Sequence, residues 1–380
     1  MHLYRYDARL HVYTALPPYV WHHCTMDYSI FQPRIVADAC LNTRDTSGAP
    51  ICTLCHDICP AQAIEIHKRI PRIDASVCTG CTACATICPA DAIPHPEVRP
   101  VTLLKDAMNR LTTGKKHLHA ACSAASQQEA DVRVPCHAAW DPLLLASMAA
   151  EGVSTLHLDG ISQCDNCPLK YGAQIMKQTE KDYATLNHAL GKHLEIAWQA
   201  EPHPAAQKTD KKPEPERRVF FRNLFPSMAQ TAAMAAAQIG HTVRQSDDAA
   251  SQTDTSPLPV RLQLFLRALP ALQPNFTPVP AMPSLPLGAI QADASCTACG
   301  QCVEQCPTEA LHLKEFGANS ILEFKPHACI GCKRCIEICP ENALELLPSI
   351  SLPAILAMRA RPLVMVANAN IANVPANKKA

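Results

Sequence analysis

Between residues 101 and 198 the apolar positions fall into short segments of two kinds. VTLLKDAMNRLTTG (101–114) predicts a helix ending at Gly114, and HLHAAC (117–122) and DVRVPC (131–136) predict strands reaching Cys122 and Cys136. Asp141 then reads as an N-cap with Pro142 in the first helical position, and LLLASMAAEG runs to a terminating Gly152. STLHLD (154–159) predicts a third strand, KYGAQIMKQTEKDYATLNHALG (170–191) a long helix, and HLEIAW (193–198) a fourth strand. Such strand–helix alternation implies a parallel sheet, whose carboxyl strand ends are where ligands collect. Cys122, Cys136, Cys164 and Cys167 all lie at such ends. Cys164 and Cys167 also fall just before or at a helix start, which favours the thiolate.

Beyond this segment the pattern loosens. EPHPAAQKTDKKPEPE (201–216) is charged and Pro-rich, as an extended linker is. Residues 217–240 form an amphipathic segment with a basic start. Its Arg217-Arg218-x-Phe-Phe-Arg is similar to the core of a twin-arginine export signal, but such signals act at N-termini. The stretch 241–290 is polar, then Pro-rich, and is expected to be poorly ordered or draped on the surface apart from a short helix at RLQLFLRAL (261–269). The tail after 347 is mildly apolar and carries no legible signal. No apolar run reaches the roughly 18 residues of a membrane span; the longest candidate, MAQTAAMAAAQIG (228–240), is too short and too polar.

Composition singles out one residue type. With 34 basic and 34 acidic residues in 380, the chain carries no net charge that would point to nucleic acid or an anionic surface. Proline is abundant at 33 and glycine scarce at 12, which suits compact pieces on stiff linkers. The outlier is cysteine, at 21. MHLYRYDARLHVYTALPPYV does not read as a signal peptide, so the expectation is a cytoplasmic, reduced chain whose thiols bind metal.

Sixteen of the cysteines fall into four groups closing on Cys-Pro. CTGCTACATICP holds Cys78, Cys81, Cys84 and Cys88. CTACGQCVEQCP holds Cys296, Cys299, Cys302 and Cys306. CIGCKRCIEICP holds Cys329, Cys332, Cys335 and Cys339. All three read C-x2-C-x2-C-x3-C-P. The remaining group, CTLCHDICP, has Cys52, Cys55 and Cys59, with Cys40 upstream across LNTRDTSGAPI, an insert rich in turn formers. Its Cys52-x-x-Cys55-His56 has the form of a c-type haem site, but a haem there would strand Cys40 and Cys59 and leave the Cys78 group a thiolate short. His56 is then a spacer. The repeat continues past the cysteines as CPAQAI, CPADAI, CPTEAL and CPENAL, whose small Ala would let a helical turn pack beside a cluster.

On these motifs the chain resembles bacterial-type 2[4Fe–4S] ferredoxins twice over, across about residues 34–95 and 291–346, as in a polyferredoxin. The resemblance implies four [4Fe–4S] clusters. One would take Cys40, Cys52, Cys55 and Cys88, and a second Cys59, Cys78, Cys81 and Cys84. A third would take Cys296, Cys299, Cys302 and Cys339, and a fourth Cys306, Cys329, Cys332 and Cys335. RVPCHAAWDPLLLASMAAEG (133–152) with CDNCP (164–168) is similar to the small delta subunit of methyl-viologen-reducing hydrogenases, which implies a four-cysteine [2Fe–2S] centre at Cys122, Cys136, Cys164 and Cys167. Buried structural cysteines and a structural zinc compete with that reading.

The implied fold class is α+β: two bacterial 2[4Fe–4S] ferredoxin-type domains (1–96 and 291–346) flanking a small α/β parallel-sheet domain (97–200), with a linker over 201–290 and a tail over 347–380. No G-x-G occurs, which removes the dinucleotide fingerprint and the P-loop, and no H-E-x-x-H pairs the 17 histidines. The expected function is electron transfer between redox protein partners rather than catalysis. Comparable ferredoxins often accompany molybdenum oxidoreductases, so the resemblance implies a partner of formate dehydrogenase or hydrogenase type. The competing readings are a subunit reducing a disulfide or sulfur substrate at the middle cysteines, and an accessory factor in metalloenzyme maturation.

Overall fold

A computed structural model describes residues 33–43, 50–125, 130–198 and 258–367. The linker 201–216, the segment 217–240 and Cys24 lie outside the described residues. Among the described residues no helix is long and apolar enough to cross a membrane.

The first cysteine-rich stretch has few bulky side chains and folds as short elements around its thiols. α1 (Leu54–Asp57) is followed by a hairpin of β1 (Ile64–His67) and β2 (Ile70–Ile73), paired from Ile64↔Ile73 to His67↔Ile70. The turn holds Lys68 and Arg69 at φ 46° and 65°, the left-handed geometry that matches hairpin twist. α2 (Ala83–Ile87) packs against α1.

The middle unit runs α3 (Pro100–Leu111), β3 (His117–Ala121), β4 (Val132–Arg133), α4 (Pro142–Glu151), β5 (Thr155–Asp159), α5 (Gly172–Asn187) and β6 (Glu195–Ala197). Its sheet is wholly parallel, in the order β4-β3-β5-β6, as the alternation of elements implies. The Asp141 carboxylate accepts the N–H groups of Leu143 and Leu144, each at 3.0 Å, and Gly152 closes α4 at φ 107°. Every residue of α4 from Pro142 to Ala149 is buried. A helix without a polar face needs cover on every side.

Part of that cover comes from α6 (Val260–Ala268), which packs on α4 beside α3 and α5. The short helix expected at 261–269 forms as α6; the expectation that the rest of 241–290 lies loosely over the surface is wrong beyond it, where Leu272, Val279, Leu285 and Leu287 are buried. Leu262, Phe265, Leu269 and Leu272 are completely buried. The prolines that suggested a linker stand where a missing N–H costs nothing: Pro259 just ahead of α6, and Pro270 at the start of the 3-10 turn Leu269–Leu272.

The C-terminal unit comprises β7 (Val279–Pro280), β8 (Ile290–Ala292), α7 (Gln301–Glu304), β9 (Leu311–Phe316), β10 (Asn319–Phe324), α8 (Arg334–Glu337), β11 (Leu344–Leu346), β12 (Ser349–Ile350), α9 (Leu352–Leu356) and β13 (Arg361–Ala367). β8 pairs with β11, and β9 and β10 form a hairpin whose free edge takes up β13. The tail is thus structural: β12 pairs with β7, and Leu352 and Ile355 of α9 are buried.

Two buried arginines tie the units together. Arg261 of α6 donates to the Ala85 carbonyl at 2.6 Å and pairs with Asp91 at 3.2 Å, both in the first cysteine-rich unit. Arg334 of α8 donates to the Leu41 carbonyl at 3.1 Å while its other nitrogens hold Gln305. A planar guanidinium with several donors suits such bridging, and burial makes each bond costly to leave unmade.

Candidate metal centres

The four-fold repeat is a repeat of backbone conformation as well as of letters. The residue before each motif alanine (Gln62, Asp91, Glu309 and Asn342) has φ between 49° and 54°. That turn aims the alanine N–H back at the thiol four residues earlier. Ala63, Ala92, Ala310 and Ala343 donate to the Sγ atoms of Cys59, Cys88, Cys306 and Cys339 at 3.2–3.3 Å. The alanine therefore marks a turn, which leads into a strand at Ala63, Ala310 and Ala343, and not the packed helical turn expected. Left-handed backbone also precedes the second cysteine at Gly80, Ala298 and Gly331, and follows it at Thr82, Gly300 and Lys333. The CTLCHDICP group departs from this: Thr53 has φ −117°.

Cys296, Cys299, Cys302 and Cys339 line one small enclosed pocket, and Cys306, Cys329, Cys332 and Cys335 line another. Burial pushes Cys302 up to about 12, with Cys296, Cys299 and Cys339 adding to the rise. Burial also raises Cys78, Cys81 and Cys84, and Cys59 lies close enough to raise each further. Cys55 is pushed up to about 12 by burial, then by Cys52, Cys88 and Cys40. All the described cysteines are free. Thiols crowded in apolar surroundings resist ionising until a cation compensates them, so metal loading here releases protons. His56 is exposed and bonds to Asp57 at 3.0 Å.

Cys40 reaches its set through a residue that sequence reasoning missed. Asn42 is buried; its Oδ1 accepts the N–H groups of Ile51 and Cys52 at 2.9 and 3.0 Å, and its Nδ2 donates to the Cys52 carbonyl at 2.7 Å. One side chain thereby closes the neck of the insert and brings Cys40 beside Cys52. An Asn two residues past a lone cysteine was the available signal, since Asn side chains commonly bond backbone in turns.

The middle four also converge. Cys122 follows β3, Cys136 follows β4, and Cys164 and Cys167 occupy a turn between β5 and α5. Burial pushes Cys136 up to about 12, and Cys81, Cys122 and Cys164 raise it further. The expected thiolate-favouring effect on Cys164 is only partial: the Ala173 N–H at the start of α5 lowers it, but burial outweighs this and the net shift is upward. His137 holds the turn in place. Its Nε2–H donates to the Asp159 carbonyl at 3.0 Å, and its Nδ1 accepts the Trp140 indole N–H at 3.2 Å. Burial keeps His137 neutral by lowering its pKa. Among the described residues no three His, Cys, Asp or Glu side chains are grouped as tightly as a single metal ion needs.

Two glycines make room for the middle thiols. A Cβ on Gly160 would lie 2.9 Å from Cys122 Sγ, and one on Gly172 would lie 2.7 Å from Cys136 Sγ and 3.5 Å from Cys164 Sγ. Gly172→Ala is expected to abolish metal at the middle set while leaving the iron of the other four sets in place. Iron and zinc analysis of the variant checks this; unchanged middle-site metal would show that the site tolerates the displaced thiol.

A family model described as a 4Fe–4S dicluster domain matches residues 51–92 and 295–346. The chain carries this domain at two places. No curated protein and no solved structure matches the chain. The two domains imply iron–sulfur clusters and support an electron-transfer role. Their matched residues contain every ferredoxin-type cysteine except Cys40, and the middle unit lies outside both matches. The residues present fit such clusters. Thiols are the soft donors iron–sulfur centres use, and space is kept for them: a Cβ on Gly288 would lie 2.9 Å from Cys329 Sγ.

Proposed function

We propose that the chain passes electrons one at a time between redox protein partners, using its sixteen ferredoxin-type cysteines to hold four [4Fe–4S] clusters. The observation that supports this reading is a pair of matched dicluster domains that contain fifteen of those cysteines, eight of which line two small pockets in fours. Clusters held there supply one-electron storage with little rearrangement. The protein's part is to bury the thiolates, keep water off them, and aim N–H groups at four of the sulfurs. Such N–H···S bonds stabilise the more negative, reduced state and so raise the potential. The middle four cysteines would hold a further centre, of [2Fe–2S] type. An oxidoreductase partner, either a molybdenum enzyme such as formate dehydrogenase or one of hydrogenase type, suits a carrier with many centres.

The test uses anaerobically purified full-length protein. It is expected to take electrons from a low-potential chemical donor and give them to an artificial acceptor, with NADH alone reducing nothing. Turnover of NADH or of a disulfide or sulfur substrate by the isolated chain would replace this reading with an enzymatic one.

A further inference from the structure

Among the described residues the five thiol sets approach one another at particular places, and those approaches impose an order. We infer that the chain arranges five redox centres in one unbranched line, from the middle set through the Cys59 set to the Cys40 set, then across a contact between the two dicluster domains to the Cys306 set and finally the Cys296 set. This deepens the electron-transfer reading and rests on it.

The first junction joins the middle unit to the first dicluster domain. Cys81 and Cys136 belong to one apolar cluster with Ala83, Ala138 and Leu169. The two alanines are small enough to let their backbones approach closely. Thr86 fixes the approach, its Oγ1 donating to the Ala138 carbonyl at 3.0 Å. α2, which carries Cys84, is thereby clamped to the turn that follows Cys136.

The second junction joins the two dicluster domains. Cys52 and Cys332 both line a single cavity of about 320 Å³, together with Leu41, Leu287 and Ile330. Arg334, two residues beyond Cys332, donates to the carbonyl of Leu41, the neighbour of Cys40. A buried cation between the Cys40 and Cys306 sets stabilises added negative charge on either side. It is a positioning residue: its backbone N–H and its charge favour the Cys332 thiolate, while its guanidinium holds Leu41 and Gln305.

Within the second domain, α7 and α8 pack together, placing Cys302 beside Cys335 in one apolar cluster. The Cys296 pocket is lined wholly by residues 296–344, so it forms the far end. Electron tunnelling weakens steeply with distance, so adjacent sets exchange electrons and non-adjacent ones do not. Each step oxidises one centre by one electron and reduces its neighbour by one, with no bond or proton changing place.

The test is magnetic. Reduced clusters that are neighbours speed one another's spin relaxation, which pulsed EPR reads in dithionite-reduced protein. Cys78→Ser with Cys299→Ser removes the Cys59 and Cys296 sets and leaves the Cys40 and Cys306 sets, which lie in different domains. Relaxation of the Cys40-set signal is expected to be several-fold faster there than in a variant that also carries Cys335→Ser. The opposite pair, Cys59 with Cys296, is expected to relax independently. Coupling in that pair, or none between the Cys40 and Cys306 sets, overturns the order. Should the ligand variants fail to assemble, Arg334→Gln keeps every ligand: unchanged iron with weakened inter-domain coupling supports the line, and unchanged coupling overturns its central junction. Zinc at the middle set in native protein overturns the first junction. Clusters that assemble but accept no electrons would instead defeat the electron-transfer reading itself.

Discussion

Anaerobically purified protein is expected to hold about sixteen iron and sixteen sulfide ions in its two dicluster domains, four of each per set of four cysteines. Cys40→Ser is expected to remove about four of those irons, although Cys40 stands outside the matched residues. The reason is geometric: Cys40 is the fourth thiol beside Cys52, Cys55 and Cys88, and it raises the pKa of both Cys52 and Cys55. Asn42→Ala is a finer probe of the same site. It leaves the half-buried N–H groups of Ile51 and Cys52 without their acceptor, a loss of up to about 1–3 kcal/mol each where water cannot replace it. The variant should load the Cys40 set less completely and release its iron faster to a chelator, with the other three sets unaffected. Saturation near eight irons per chain, together with no effect of Cys40→Ser, would show that only two sets assemble.

Much of this architecture was legible in the letters. Asp141, Pro142 and Gly152 delimit α4 because a cap, a fixed φ and a left-handed stop act locally. The two dicluster domains were legible because ligand spacing survives any change in the residues between. What escaped was conformation set by position alone. Gln62, Asp91, Glu309 and Asn342 share a left-handed backbone but no side-chain chemistry, so the N–H···S bonds they create leave no mark except the alanine. The burial of α6 escaped because its partner, α4, lies more than a hundred residues earlier, and because prolines at an element's start resemble prolines in a linker. Asn42 and His137 escaped because a single polar residue in a loop has no period. The expected thiolate at Cys164 followed from a helix start alone; the burial that opposes it is a tertiary property.

Cutting the chain within 201–257 is expected to leave both dicluster domains in one particle, still able to exchange electrons. The sequence suggests the reverse, since a charged Pro-rich tether between two ferredoxin-type domains reads as a device for docking each separately. The structure gives the second fragment its own hold on the first. Leu262, Phe265, Leu269 and Leu272 are completely buried, α6 packing on α4 of the first fragment. At about 1.5–3 kcal/mol per buried side chain, these four supply roughly 6–12 kcal/mol as an upper bound. Arg261 on Ala85 and Asp91, and Arg334 on Leu41, add directional contacts across the same boundary. Together these contacts act against the entropy lost on association, so the nicked protein should co-elute as one particle. Phe265→Ala in the nicked protein removes about 3–5 kcal/mol, enough to weaken association by a factor of a hundred or more. Size-exclusion chromatography under anaerobic conditions checks both outcomes. Separation of the nicked wild-type fragments, each retaining its iron, would show that the covalent tether and not the α4–α6 contact holds the two domains within electron-transfer distance.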